Sequence, residues 1–517
     1  RRSCQTMENT TNSALMFRSP KGLSTAINQI FIKFYKVKNS LILTVAMLFV
    51  IGTAFAQSNM AYTDQSGDGT NTSYVDQVGY DNYSDVDQVN TSSEAVANFS
   101  DVNQTGDEND ARTWQYGAGE NSSTTNQTGD YHWTDVQQLG ATNMSTIDQF
   151  GGNANDAYMH QNGHDNMSTI SSEGSYNWVH VDQYFTYPYY NGNNVGPQTS
   201  DYNESDVDQV GDYNDAYVQQ YGDWNDAEVD QEGDHNYSHS FQYGDDNDAE
   251  TEQEGDYNDS YIDQRGDDND ADVDQHGDNN FSNVDQYGDD NDADVHQHGD
   301  LNISNIYQYG DDNDADVTQY GDENESDVDQ VGNDNDAHVH QYGDLNESMV
   351  NQVGNDNDAH VSQHGDQNYS DVHQAMLWGS GIAEDNEAIV HQDGDHNRSI
   401  VRQVGDYNYA NIYEDGDWHR SNATQAGNDN YIDVDQYAGD HDYAFTYQSG
   451  NENTALVDQN GGDYNDSYIH QGGNLNMADT YQEGNTNDSD VYQYDNSNGA
   501  YTTQIGDDNY SYIYQND

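Results

Sequence analysis

The sequence predicts an all-β solenoid, a chain coiled into stacked rungs of two strands each. Three observations predict it: Gln recurs every eleven residues, Ala and Ser alternate so that the true period is 22, and polarity alternates with period two inside each repeat. From Gln198 to Gln374 the eleven-residue spacing holds for sixteen consecutive steps. Composition alone points to disorder, with 517 residues, a formal charge of −84, 32% hydrophobic residues and a mean hydropathy of −1.13. Yet 3 Pro and 43 Tyr are not the usage of a disordered chain, and no such chain needs a fixed spacing.

The chain divides into three parts. Residues 1–32 read as a leader or an over-extended reading frame. Residues 33–56 read as a secretory signal: a basic KFYKVKNS, an apolar LILTVAMLFVIGTAFA from Leu41, and the small-x-small Ala54-Phe55-Ala56 that predicts cleavage before Gln57. Sixteen apolar residues fall short of the ~20 a membrane span needs. From residue 57 the chain has 95 acidic residues against five Arg and no Cys, so no disulfide framework replaces a core.

Residues 57–517 are the repeat. Each unit reads Q-x-G-x-x-N-x-(A/S)-x-(V/I)-x, as in QYGDDNDADVH from Gln286. The small residue alternates, Ala271, Ser282, Ala293, Ser304, so that two unlike halves make one rung. Parity sets the faces: Asn, Ala or Ser, Val or Ile, and Gln point inward, because the opposite choice would bury dozens of unpaired carboxylates. Gly turns the chain three residues before Asn. Stacked rungs put Gln over Gln and Asn over Asn, letting side-chain amides bond along the axis as the backbone does. About twenty rungs at ~4.8 Å predict a rod near 95 Å long. Glu414 and Ser172 stand at Gln positions. Inserts near 184–197, with Pro188 and Pro197, and near 375–385 should bulge from the arcs. The repeat register runs on to Gln504, Asn509, Ser511, Ile513 and Gln515, an unblocked edge of the kind that recruits another strand.

This pattern resembles the curlin repeat of bacterial curli amyloid fibres. Gln264, Gly266, Asn269, Ala271 and Val273 occupy its positions, and Gln275, Gly277, Asn280, Ser282 and Val284 repeat them. Gln286, Gly288, Asn291, Ala293, Val295 and Gln297 carry the pattern on. With degenerate copies the resemblance covers roughly residues 61 to 517. It implies a secreted, self-assembling β-solenoid subunit of a biofilm or adhesive matrix fibre. Its implied partners are further copies of itself, a nucleating homologue, an outer-membrane secretion pore and cell surfaces; nucleic acid is not among them. The chain departs from the familiar subunit in its length and its acidity, and both bear on the assembly route.

The carboxylates pose the second question. In the recurring G-D-D-N-D, Asp246, Asp268, Asp290 and Asp312 should form one column, and Asp248, Asp270, Asp292 and Asp314 another. Neighbouring charges ~4.8 Å apart repel by about 0.9 kcal/mol in water, so condensed cations are expected; none is required as a cofactor. The expected reading is a solubilising acidic face with diffuse cations; the alternative is ordered Ca²⁺, which takes six to eight oxygens that stacked Asp could supply. The nine-residue calcium β-roll period and an EF-hand's final Glu are both missing. His296-x-His298 and His338-x-His340 fall around outward positions and could meet a transition metal. Outward Tyr221, Tyr243, Tyr287, Tyr309 and Tyr320 predict aromatic rows. Asn-x-Ser triplets such as Asn236-Tyr237-Ser238 match glycosylation sequons but follow from the inward ladder.

No catalytic constellation stands out from the period, and a seam of Ala, Ser, Val, Asn and Gln leaves no cavity. The sequence therefore predicts a structural protein, not an enzyme, acting by templated β-stacking. The alternative is a discrete, Ca²⁺-dependent acidic solenoid used in adhesion or binding. An ice-binding solenoid would need outward Thr rows that are not present.

Overall fold

The computed structural model describes residues 58–67, 70–92, 97–183, 200–375 and 383–516. The leader, the signal segment, the 184–197 insert and most of the 375–385 insert lie outside them. The described residues contain no helix. Two compact units divide the chain, Arg1–Tyr257 and Asn258–Asp517.

Each unit is a parallel β-solenoid. The first holds sixteen described strands, from Met60–Gly67 to Asp248–Glu254, which at two per turn make eight turns. The second runs from Asp259–Arg265 to Tyr510–Gln515 in twenty-three strands and one two-residue segment, Ala383–Glu384, or eleven and a half turns. Consecutive strands lie in different sheets, and each pairs in parallel with the strand one rung further on. In the second unit Asp270 pairs with Asp292 and Gln275 with Gln297 in one sheet, while Phe281 pairs with Ile303 in the other. In the first, Glu204 pairs with Asp226 and Asp215 with Tyr237.

The predicted parity holds. Strands such as Asp292–His298 and Phe281–Tyr287 alternate buried and partly exposed positions, with Ala, Ser and Val inward. Ala271, Val273, Val284, Ala293 and Val295 are fully buried between the two sheets. The seam is thin because its residues are small; repetition, not depth, supplies the apolar burial.

The arcs are as uniform as the strands. Gly288 has φ 132°, and a Cβ there would overlap the carbonyl oxygen of Gly310 on the next rung, so both the backbone angle and the close approach demand Gly. Two residues later the chain adopts the left-handed conformation at Asp290, φ 59°, before Asn291 turns inward.

Inserts lengthen the path without breaking the register. Gln183 bonds Gln220 across 37 residues, and Gln374 bonds Gln403 across 29, in place of the usual 22. The stacking surface tolerates insertions because the entropy of closing a longer connection grows only slowly with its length.

Candidate functional site

The repeated site is the amide ladder. Gln286 Nε2 donates to Gln308 Oε1 on the next rung at 3.0 Å, and also to the backbone oxygens of Asp270 at 2.7 Å and Asn291 at 3.1 Å. Gln264 donates to Gln286 at 3.0 Å, and in the facing sheet Gln275 donates to Gln297 at 2.9 Å. Each amide thus ties its rung both to the next and to the strand it faces.

Asn forms a second ladder. Asn291 donates through its backbone N and its Nδ2 to Asn269 Oδ1, at 3.1 and 2.9 Å, and its Nδ2 also reaches Gly310 O at 2.9 Å. On the Ser side Asn280 bonds Gly299 O at 2.8 Å. The Ser hydroxyls are less well served: among the described residues the buried Oγ atoms of Ser282, Ser304, Ser326, Ser348 and Ser370 have no hydrogen-bond partner.

One class of Asp corrects the simple division into inward ladder and outward charge. The Asp directly after Gly accepts a backbone N–H from the rung before: Asp267 N reaches Asp289 Oδ1 at 3.0 Å, and Asp289 N reaches Asp311 Oδ1 at 3.2 Å. These carboxylates form a third ladder along the arcs. A charged acceptor there makes the stronger kind of hydrogen bond.

The two predicted Asp columns stay exposed, with Asp246 and Asp248 in the first unit and the rest in the second. Asp268, Asp290 and Asp312 occupy the left-handed turn position, while Asp270, Asp292 and Asp314 are register partners at strand starts. Partial burial, then the charges of Asp294, Asp270 and Asp314, push Asp292 up to about 6. Asp270 and Asp314 are also pushed up, first by partial burial. These like charges favour a proton or a cation.

The left-handed position carries aromatic rings elsewhere, a row that the sequence pattern did not announce. In the first unit Tyr213 stacks on His235 with centroids 4.9 Å apart, His235 on Tyr257 at 4.7 Å, and Tyr202 on Trp224 at 4.2 Å. In the second, His396 stacks on Trp418 at 4.0 Å. A bulky residue at positive φ is strained by roughly 1–2 kcal/mol, and ring stacking of about 0.5–1.5 kcal/mol offsets much of it. The predicted Tyr rows form unevenly: Tyr320 stacks on Tyr342 at 5.2 Å and 4°, whereas Tyr287 and Tyr309 are 6.2 Å apart and tilted by 31°. Tyr221, expected outward, is covered, with Phe241 beside it at 5.4 Å.

The ladder changes character around residues 414–442. Glu414, at a Gln position, is buried and accepts from Gln392 at 2.9 Å, while Gln436 Oε1 takes its hydrogen bond from Ser421 Oγ at 3.0 Å. Burial pushes the Glu414 carboxyl up, against hydrogen bonds from Gln392, Ser421 and Ser399. His419 and Asp442 occupy successive Asn positions, both fully buried, with Nδ1 and Oδ2 3.8 Å apart. Burial lowers the His419 pKa and pushes Asp442 up to about 7. Ser172, the other substitute for Gln, keeps its ladder by donating to Gln209 at 3.3 Å.

Of the two histidine pairs, His338 lies between carboxylates, its Nε2 2.9 Å from Asp336 and its Nδ1 3.7 Å from Asp316. Its hydrogen bonds to Asp316 and Asp336 push its pKa up to about 10, favouring the imidazolium form in an ion-pair network. His296 and His298 lie one rung beyond Asp274 and His276.

Compared with known families, the chain matches the curlin associated repeat in overlapping copies at 222–250, 244–277, 266–299, 288–321, 310–343, 321–354 and 332–365, and again at 383–413. No curated protein matches it. The matched stretches hold the Gln, Asn and Gly ladders described above; residues 222–365 and 383–413 are curlin associated repeats, and they support reading the chain as a curlin-repeat protein.

Proposed function

We propose that this protein is a structural subunit of a curli-like extracellular fibre, exported from the cell and assembled by templated β-stacking into a biofilm or adhesive matrix. One observation carries the proposal: each rung faces the next with like residues in register. Gln286 lies over Gln308, Ala293 over Ala315 and Val295 over Val317. The upper surface of a rung is therefore nearly a copy of its lower surface, and a rung from a second copy offers the same ladder partners as the next rung of the same chain. Exposed strand edges recruit such partners. A nucleating homologue would act by presenting the first edge, and an outer-membrane pore would deliver the chain.

The acidic surface opposes association through self-repulsion that cations screen. Calcium is then an accelerator, not a requirement. The test is electron microscopy of the chain from Gln57 over a concentration series, seeded and unseeded, with EDTA and with millimolar Ca²⁺. Fibres that lengthen with concentration and seed in both conditions are expected. Particles of fixed length at every concentration, or order only with Ca²⁺, would instead indicate a discrete cation-dependent solenoid.

A further inference from the structure

We propose that the outward face of the adjacent strands Asp270–His276 and Asp292–His298 binds a divalent transition-metal ion of the zinc and copper class through Asp274, His276 and His298. Among the described residues these three offer ligand atoms that all lie within 4.8 Å of one another. Two regularities of the fold assemble them. Residues two apart on a strand share a face, which sets Asp274 beside His276. Register partners lie on neighbouring rungs, which sets His276 beside His298 and Asp274 beside His296.

The geometry is close to what such a metal needs. Asp274 Oδ1 is 2.9 Å from His276 Nε2, and His296 Nδ1 is 3.7 Å from Asp274 Oδ2. The His276 and His298 rings are parallel to within 7°, with centroids 4.7 Å apart. Metal–nitrogen bonds of about 2.0–2.1 Å require the donor atoms to close up by an ångström or so. Partly exposed side chains, 29% for His276 and 22% for Asp274, can make that movement. Three protein ligands leave a fourth tetrahedral position for water or for His296.

Chemistry separates this place from the surrounding acid. All-oxygen Asp columns suit hard cations, whereas imidazole with one carboxylate suits zinc, copper or nickel. The acidic surface raises the local cation concentration without choosing among ions; the histidines make the choice. The His338 pair differs, because both ring nitrogens of His338 already face carboxylates, Nε2 toward Asp336 and Nδ1 toward Asp316, which favours the protonated ring over metal binding.

The test is calorimetric titration of the untagged full chain with zinc chloride, in physiological sodium chloride and millimolar magnesium to occupy diffuse sites. Saturable binding that magnesium does not displace is expected. The double variant His276→Tyr/His298→Tyr should weaken it by at least the roughly 10- to 100-fold that even an outer-shell change costs. Tyr320 and Tyr342 already continue this column, His298 stacking on Tyr320 at 4.6 Å, so the variant keeps a native stacking residue. The control His338→Tyr/His360→Tyr should bind zinc as the parent does. Copper bound to the parent should show imidazole nitrogen hyperfine structure by electron paramagnetic resonance, and a single His298→Asn variant should reduce it. Zinc displaced by magnesium, or equal affinity in both double variants, would overturn the proposal.

Discussion

Two stretches of the second unit use one fold with different chemistry. From Gln264 to Gln374 every position of the Gln and Asn ladders is an amide, and Gln286, Gln308, Gln330 and Gln352 each donate to the next rung and receive from the rung before. Around 414–442 the same positions hold Glu414, His419 and Asp442, all buried. An amide donates and accepts at once and carries no charge at any pH. An ionised carboxylate only accepts, and a neutral imidazole donates from one nitrogen alone. The amide ladder of the regular stretch is therefore indifferent to pH, while the buried ladder around 414–442 depends on which groups hold protons.

The strongest way to break this contrast is to install the second chemistry in the first stretch. Gln286→Glu removes a donor that serves three acceptors. The buried carboxyl should have a folded-state pKa above its unfolded value, so the rung is stable at low pH and loses stability as pH rises through the folded pKa. At neutral pH the cost should be on the order of 3–5 kcal/mol. Hydrogen exchange of strand Phe281–Tyr287 at pH 4 and pH 8 measures it; equal protection at both would show that the donor does not matter.

The reverse substitution sharpens the contrast. Asp442 has a folded pKa of about 7 against an ordinary 3.8, so its favourable contribution is complete below the unfolded value and is lost as pH rises toward 7. Asp442→Asn should therefore stabilise the rung increasingly over that interval, by up to about 4 kcal/mol at alkaline pH. His419, whose pKa burial lowers, works oppositely: its contribution is full above its unfolded value and falls as acid protonates it. Urea titrations of the parent and Asp442→Asn that run parallel at every pH would contradict this account.

The smallest effect separates packing from hydrogen bonding within the seam. Ser304 is buried with no hydrogen-bond partner among the described residues, and Ala occupies the equivalent position in the other half of the rung. Ser304→Ala should change stability by no more than about 1 kcal/mol, toward greater stability. A clear loss would mean that the hydroxyl row carries part of the ladder.

The sequence made the interior legible because strand parity and a fixed period act on the same residues. Gln264, Asn269, Ala271 and Val273 stand where the pattern places them. The arcs were less legible because they have no period-two alternation. Asp289 looks like any outward charge until the next rung is seen to present Asp311 to its N–H. The stacked rings at Trp224 and Trp418 occupy a slot that the repeat leaves variable, so no pattern marks them. His276 and His298 differ in kind: they lie 22 residues apart, one rung period, so the repeat itself pairs them on neighbouring rungs. The same alignment exposes His419 and Asp442, each three residues after Gly where Asn is the rule.

The central claim is that the ladder within one copy continues into the next. Oriented X-ray fibre diffraction of the chain from Gln57, assembled in EDTA at neutral pH, tests it most directly. A sharp meridional reflection at ~4.8 Å and an equatorial one at ~10 Å are expected, from the rung spacing and the distance between the two sheets. Assemblies lacking the meridional reflection, or material that never orients into fibres without calcium, would contradict the claim.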